Sequence, residues 1–348
     1  MIIDGCGKKS GRRIIRWAWR GVFILVFVSG TVGAAMSVAG EVKDTRIINN
    51  KGRFEIELFG GFSLLSAGDL NRLVDYDKEY QHFTYDERYD YFQPIDNIDS
   101  WNVNQEGARG RIKSAFPFGL RLKYFLTPGF AVSIGLAALK ANRKKHLSYQ
   151  YIRNFSYGDI YYEDTEFDPY RLSVSALSPK IGIHLRKSLS ERFEMEAHLV
   201  GGPFFISMKT FSEWEYTFTI DEGRGPYVPF NGGGLLEQEG KGTGLAVDGA
   251  FKLNALVGKK WGVLLEAGYA YQWVGSISGA GRQELNGETE TWDGRWKVYT
   301  VKLEGEWGER TLDFPSNYPL SENFYESERN FRLNLSGPQL QLGLFFRF

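Results

Sequence analysis

The residues of this chain whose types and spacing suit chemistry are four histidines, a few acidic clusters and one glycine-rich stretch. Glu194-x-Glu196-x-His198 sets two carboxylates and an imidazole at alternate positions, and His184 precedes them. Acyl transfer would ask such a histidine to activate a serine on a sharp turn, and the sequence carries no G-x-S-x-G segment to supply one. The histidines do not follow a zinc spacing either. Gly234 to Lys241 misses the phosphate-loop pattern by one spacer residue and lacks the following Ser or Thr, so it reads as a glycine-rich loop. Asp75-x-Asp77-x-Glu79 and Asp96-Asn97-Ile98-Asp99 offer oxygen ligands for calcium but lack the glycine and terminal glutamate of a dedicated loop. They read as solvated acidic loops. The expectation is no catalytic residue, no cofactor and no metal.

The charges make better sense as parts of strands. Segments of about ten residues alternate with period two, which places successive side chains on opposite faces. The first sets Phe54, Ile56, Leu58, Gly60, Phe62 and Leu64 on one face; the second Phe116, Phe118, Leu120, Leu122 and Tyr124; the third Phe130, Val132, Ile134, Leu136 and Ala138. The fourth starts with Leu172, Val174 and Ala176 and resumes as Ile181, Ile183 and Leu185, a parity change that predicts a bulge near Ser178-Pro179. The fifth offers Phe193, Met195, Ala197 and Leu199, the sixth Leu245, Val247, Phe251, Leu253, Ala255 and Val257, and the seventh Trp261 to Trp273 at every second residue. The eighth is the C-terminal run, where Leu340, Leu342, Leu344, Phe346 and Phe348 share a face.

Tight connections near 127–129, 188–191 and 258–260 alternate with long ones, roughly 67–112, 145–168, 210–241 and 278–333. Residues 1–39 hold six basic residues, then Val22 to Val28 as a short apolar core, then small residues up to Ser37-Val38-Ala39. That is the pattern of a cleaved secretory signal peptide. Cys6 lies within it, far from the cleavage point. Without it, 36 basic residues face 41 acidic ones, a net charge of −5, and the lack of a basic cluster argues against nucleic acid as a partner. A mean hydropathy of −0.32 with no further long apolar run excludes a helical membrane protein.

A strand that alternates back from a terminal Phe348 resembles the C-terminal assembly signal of bacterial outer-membrane β-barrel proteins. The wider pattern resembles the OmpA transmembrane domain and the OmpX-like and opacity-type surface proteins. The resemblance implies an all-β, eight-stranded, antiparallel up-and-down transmembrane barrel with long extracellular loops, of even strand number and with tight turns on the periplasmic side. It divides the chain into a signal peptide (1–39), a short periplasmic segment (40–52) and a barrel domain (53–348). It places the protein in the outer membrane, with lipid and lipopolysaccharide around it and the barrel-assembly machinery as a partner of the last strand. The expected division has no peptidoglycan-binding domain after the barrel segment, and so a cell-wall tethering role is not expected.

Parity then fixes the lumen. Glu55, Glu57, Arg121, Lys123, His184, Arg186, Glu194, Glu196, His198, Asp248, Lys252, Glu266, Gln341 and Arg347 face inward, nearly all in the periplasmic half. Eight strands enclose a space just wide enough for side chains to fill, so a network of these charges reads as a plug. Inward and periplasmic is the wrong place for His184 and His198 to meet a lipid ester. Trp296 to Leu303 reads as a hairpin above the membrane in preference to extra strands of a ten-stranded barrel, because Lys297 and Lys302 fall on opposite faces. The loops are rich in Tyr, among them Tyr80, Tyr85, Tyr89, Tyr157, Tyr161 and Tyr162. These are candidates for a binding surface, or residues that extend the hairpins. The expected function is a non-enzymatic surface structural or adhesin-like interaction protein. The alternatives are a narrow porin and a lipid-modifying barrel enzyme.

Overall fold

Period-two alternation and the abundance of β-branched and aromatic residues favour strands along most of this chain. A computed structural model describes residues 52–73, 98–106, 111–155, 161–221, 226–285, 287–305, 308–321 and 324–348. The expected signal segment (1–39), most of residues 40–52, the acidic motifs at 75–79 and 96–97, and Tyr80, Tyr85, Tyr89 and Tyr157 lie outside them. Nearly all of the described chain is antiparallel β-sheet.

A ring is formed by β1 (Phe54–Leu64), β3 (Ser114–Thr127), β4 (Phe130–Phe155), β5 (Tyr161–Ser188), β6 (Phe193–Asp221), β7 (Pro226–Leu256), β8 (Trp261–Leu285) and β14 (Gly337–Arg347). Each pairs antiparallel with the next, and β14 returns to β1 through Glu55 opposite Arg347 and Phe62 opposite Leu340. Every strand edge in the ring is therefore paired, which removes the free edges that promote aggregation. The remaining strands are side structures. β2 (Ile98–Glu106) pairs with the far part of β4, and β9 (Glu288–Arg295) folds back on β8. β10 (Lys297–Gly305), β11 (Gly308–Ser316) and β12 (Ser327–Asn330) form a separate three-stranded sheet. β13 (Leu333–Asn334) is the exception, continuing the register of β14 along β8 with Leu333 opposite Val274 and Gly337 opposite Ala270.

Three corrections to the sequence reading follow. β4 to β7 are 26 to 31 residues long, so the stretches at 145–168 and 210–241 are mostly extended hairpins, and the first long connection contains β2. Tyr161 and Tyr162 open β5. The glycine-rich stretch at 234–241 is strand and not loop, paired to both β6 and β8. Finally, there is no bulge at Ser178-Pro179: β4 and β5 keep one register from Leu185 to Tyr161. Leu172, Val174 and Ala176 consequently point into the ring, where all three are buried.

That last correction exposes a change of polarity along the walls. Toward the tight turns, the outer face is apolar, with Leu58, Leu120, Ile134, Ile183, Leu199, Leu265 and Leu344 all exposed, while the interior is charged. Beyond Ala138, Leu177, Phe205 and Trp273 the outer positions become Lys140, Ser175, Lys209 and Ser276, and the interior turns apolar. On β4 to β7 one continuous parity thus carries two opposite amphipathic patterns, while β8 shifts register by one residue between Val274 and Ile277 and buries both.

Candidate functional site: the filled interior of the ring

At the turn end, five carboxylates meet five cations. Glu55, Glu57, Glu194, Glu196 and Glu266 are bridged by Arg121, Lys123, Arg186, Lys252 and Arg347. Facing pairs are set by strand register, since Glu55 and Glu57 of β1 lie opposite Lys123 and Arg121 of β3 and Glu55 also lies opposite Arg347 of β14. Arg186 donates to Glu55 from Nη1 (2.8 Å) and Nη2 (2.5 Å) and to Glu196 from Nε (2.8 Å) and Nη2 (2.6 Å). Such multidentate pairing is the strongest form a guanidinium makes. Arg121 Nη1 donates to Glu57 Oε2 at 3.0 Å and Glu266 Oε2 at 3.3 Å, and Arg347 Nε to Glu55 Oε2 at 2.9 Å. Lys123 bonds Glu57 and Glu196, Lys252 bonds Glu57, and Arg347 bonds Glu194.

Aromatic rings finish the enclosure. Arg186 lies over Phe125 at 4.4 Å, Arg347 over Phe345 at 4.9 Å and Arg121 over Phe59 at 5.0 Å, contacts that stabilise a desolvated cation through the ring quadrupole. β4 supplies only Ala131, Ser133, Gly135 and Ala137 on its inner face, and that is what leaves room for the long side chains opposite. The charges balance five to five, all ten are buried, and each is paired with at least one opposite charge that replaces part of what water would otherwise supply.

The residues singled out from sequence therefore do come together. His184 and His198 stand opposite each other on β5 and β6 with ring centres 5.2 Å apart. His184 has Glu196 Oε1 2.8 Å from Nδ1 and Ser133 Oγ 2.7 Å from Nε2. His198 Nε2 lies 3.5 Å from Glu266 Oε1. His184, Glu196 and His198, like Glu55, Glu57 and Glu196, bring ligand atoms within 4.8 Å of one another. The oxygen they would share is already taken: Glu196 Oε1 holds Lys252 Nζ at 2.6 Å as well as Lys123 and His184. The arrangement is that of an ion-pair centre and not of a metal cradle.

Above this floor sits a cavity of about 30 Å³ bordered by Ser133, Ser178, Asp248, Glu266, Gln272 and Gln341, enough for about one or two water molecules. Lys180 pairs with Asp248 at its edge. The far interior is apolar and was not foreseen. Trp296, Val298 and Phe331 enter the ring and, with Leu333 and Leu335 on the line of strand that leads into β14, pack with Leu65, Leu70, Leu139, Leu172, Val174, Phe204, Ile206, Met208, Val274 and Ile277. The hairpin at 296–303 is therefore not free above the ring, because its first residues are core. Trp296 Nε1 donates to the Glu239 carbonyl at 3.1 Å, and its ring meets Phe331 at 5.5 Å. The signal was present in Phe331-x-Leu333-x-Leu335, an alternating apolar run just before the last strand.

A buried turn fastens this insert. Asp69 accepts from Arg329 Nη1 (2.6 Å) and Nη2 (2.8 Å) and from the Arg332 amide (2.8 Å). Ala67 and Gly68, at φ of 52° and 50°, make the bend that aims it. A Cβ on Gly68 would lie 3.0 Å from both the Arg332 carbonyl oxygen and the Asn334 amide nitrogen, so the insert approaches bare backbone here. No family model matches this chain, and no curated protein matches its sequence.

Proposed function

We propose that this protein is an eight-stranded outer-membrane β-barrel of the small surface-protein type, resembling the OmpA transmembrane domain and the OmpX-like and opacity-type proteins. Its role is non-enzymatic, as a closed structural and interaction scaffold. The observation that carries this reading is the interior as the described residues fill it: a neutral charge network at one end, an apolar cluster at the other and a water-sized cavity between them. The outer belt supports the membrane setting. From Trp261 to Trp273, β8 presents apolar or aromatic residues at every outward position. Twelve steps of about 3.4 Å, tilted by about 40°, rise about 30 Å, close to the hydrocarbon thickness of a bilayer. Paired rings at the belt edges, Phe54 with Tyr124 at 5.0 Å and Phe62 with Phe116 at 6.2 Å, fit aromatic girdles.

The test is expression in a Gram-negative host with fractionation, followed by planar-bilayer recording of the purified protein. The expected result is recovery with the outer membrane, a mature N-terminus at Gly40, a heat-modifiable band, and a nearly silent bilayer. A stable ion-selective conductance would replace this reading with the porin one, and recovery as a water-soluble protein would end it.

A further inference from the structure

The wall carries a second feature, on its outside. Where the apolar belt ends on β4 to β7, one register row reads Lys140, Ser175, Ser207 and Lys241: Lys140 lies opposite Ser175, Ser175 opposite Ser207, and Ser207 opposite Lys241. All four are on the outward parity, with both lysines and Ser175 exposed. Three interstrand steps separate the lysines by about 14 Å, and the two serines between them are short, so the flexible ammonium arms can close over anything seated on the hydroxyls. Lys209 stands two residues beyond Ser207 on the same face. The nearest acid is Glu239, 3.5 Å from Lys209 Nζ and outside the row.

One level toward the belt, Leu177 and Phe205 are exposed by 45% and 46%. Together with Ser175, Ser207, Lys241 and Thr243 they line a groove of about 570 Å³. The groove is polar and basic on its outer lip and apolar on its inner one. The row is also confined to one side of the ring, since it ends at Ser278 on β8 and at exposed Phe116 on β3.

We propose that this groove docks a phosphorylated, multiply acylated lipid of the surrounding leaflet, with a phosphate over Ser175 and Ser207 between Lys140 and Lys241 and an acyl chain against Leu177 and Phe205. Charge complementarity selects the phosphate, and the level of the row, at the upper edge of the belt, selects a headgroup in place of a chain. The assignment rests on the outer-membrane reading and names the lipid partner at that wall.

The experiment folds the full mature chain, as wild type, Lys140→Ala/Lys241→Ala and the control Lys259→Ala/Lys260→Ala at a tight turn. Each is placed in phosphatidylethanolamine bilayers doped with bisphosphorylated lipid A, with dephosphorylated lipid A, or with phosphatidylglycerol, and retained lipid is counted by native mass spectrometry. The wild type should retain bisphosphorylated lipid A over the other two. Loss of both row lysines should weaken retention about 30-fold, from about fivefold per charge near a membrane surface, and the turn variant should match wild type. Equal retention of phosphatidylglycerol, an unaffected Lys140→Ala/Lys241→Ala protein, or an equal loss in the turn variant would overturn the site while leaving the barrel standing. Failure of the wild type to give a heat-modifiable, bilayer-inserted form would instead overturn the underlying reading and the site with it.

Discussion

The two halves of the interior solve the same filling problem with opposite chemistry. Toward the turns, Glu55, Glu57, Arg121, Lys123, Arg186 and Lys252 are brought together by strand register and by closure of the ring, each fixed to a wall and each tied to more than one partner. Toward the far end, Trp296 and Phe331 are delivered by an insert and meet Leu333 and Leu335, on the strand line leading into β14, together with Leu172, Val174, Phe204 and Val274. The difference follows from what the walls face in the proposed setting. Within a bilayer the apolar side of each strand belongs outside, so polar groups turn inward and must satisfy one another; beyond it the outside is water and the same parity can carry an ordinary apolar core. A charge network is intolerant of single losses, whereas an apolar cluster weakens in proportion to the hydrocarbon removed.

The largest expected effect lies in the charged half. Glu57→Ala leaves Arg121, Lys123 and Lys252 short of a buried partner, and it should cost about 4 kcal/mol in urea unfolding of the folded protein. Glu57→Ala combined with Arg121→Ala should cost clearly less than the sum of the two single changes. Strict additivity would show that the charges are not one network. Next comes the apolar half, where Leu333→Ala should cost about 3 kcal/mol while the bilayer stays silent, because the charged floor is untouched. Conductance in that variant would make the insert the true barrier.

The outer wall offers a third contrast. Leu265→Arg, within the belt, should cost at least about 2 kcal/mol in bilayers, while Ser173→Arg, outward on β5 but beyond the belt, should cost close to nothing. Equal costs would mean that the belt does not end where the outward residues turn polar.

The charged half was legible in the sequence because both signals agree there: apolar residues at one parity mark the outside, and Glu, Arg, Lys and His at the other mark the inside. The far half misled because an apolar residue was taken as outward wherever it stood. At Leu172, Val174 and Ala176 that assumption forced a bulge that the chain does not have. Leu333 and Leu335 continue the inward parity of the last strand along β8, but being apolar they carry none of the charge that marks the inside in the other half. Likewise Asp69 and Arg329 lie 260 residues apart, so their pairing is a consequence of ring closure and not of any pattern near either one.

That pairing gives the smallest expected effect and the sharpest test of whether the halves are separate. Asp69 is buried, but Arg329 is 40% exposed along its side chain, so solvent screens the pair and its contribution is on the order of 1 kcal/mol. Asp69→Asn keeps the shape and one acceptor while removing the charge that the bidentate guanidinium matches. The loss should shrink at high salt, as expected for a partly exposed ion pair. Hydrogen exchange should localise it: the Phe331 amide, which donates to the Trp296 carbonyl at 3.1 Å, and the Leu335 amide, which donates to the Gln272 carbonyl at 3.0 Å, should exchange faster. Amides of β1 and β3 around Glu57 and Arg121 should not change, because their protection comes from the ladder and the ion pairs beneath. If those amides accelerated equally, insert and floor would open as a single cooperative unit, and the polarity change along the walls would mark no boundary in stability.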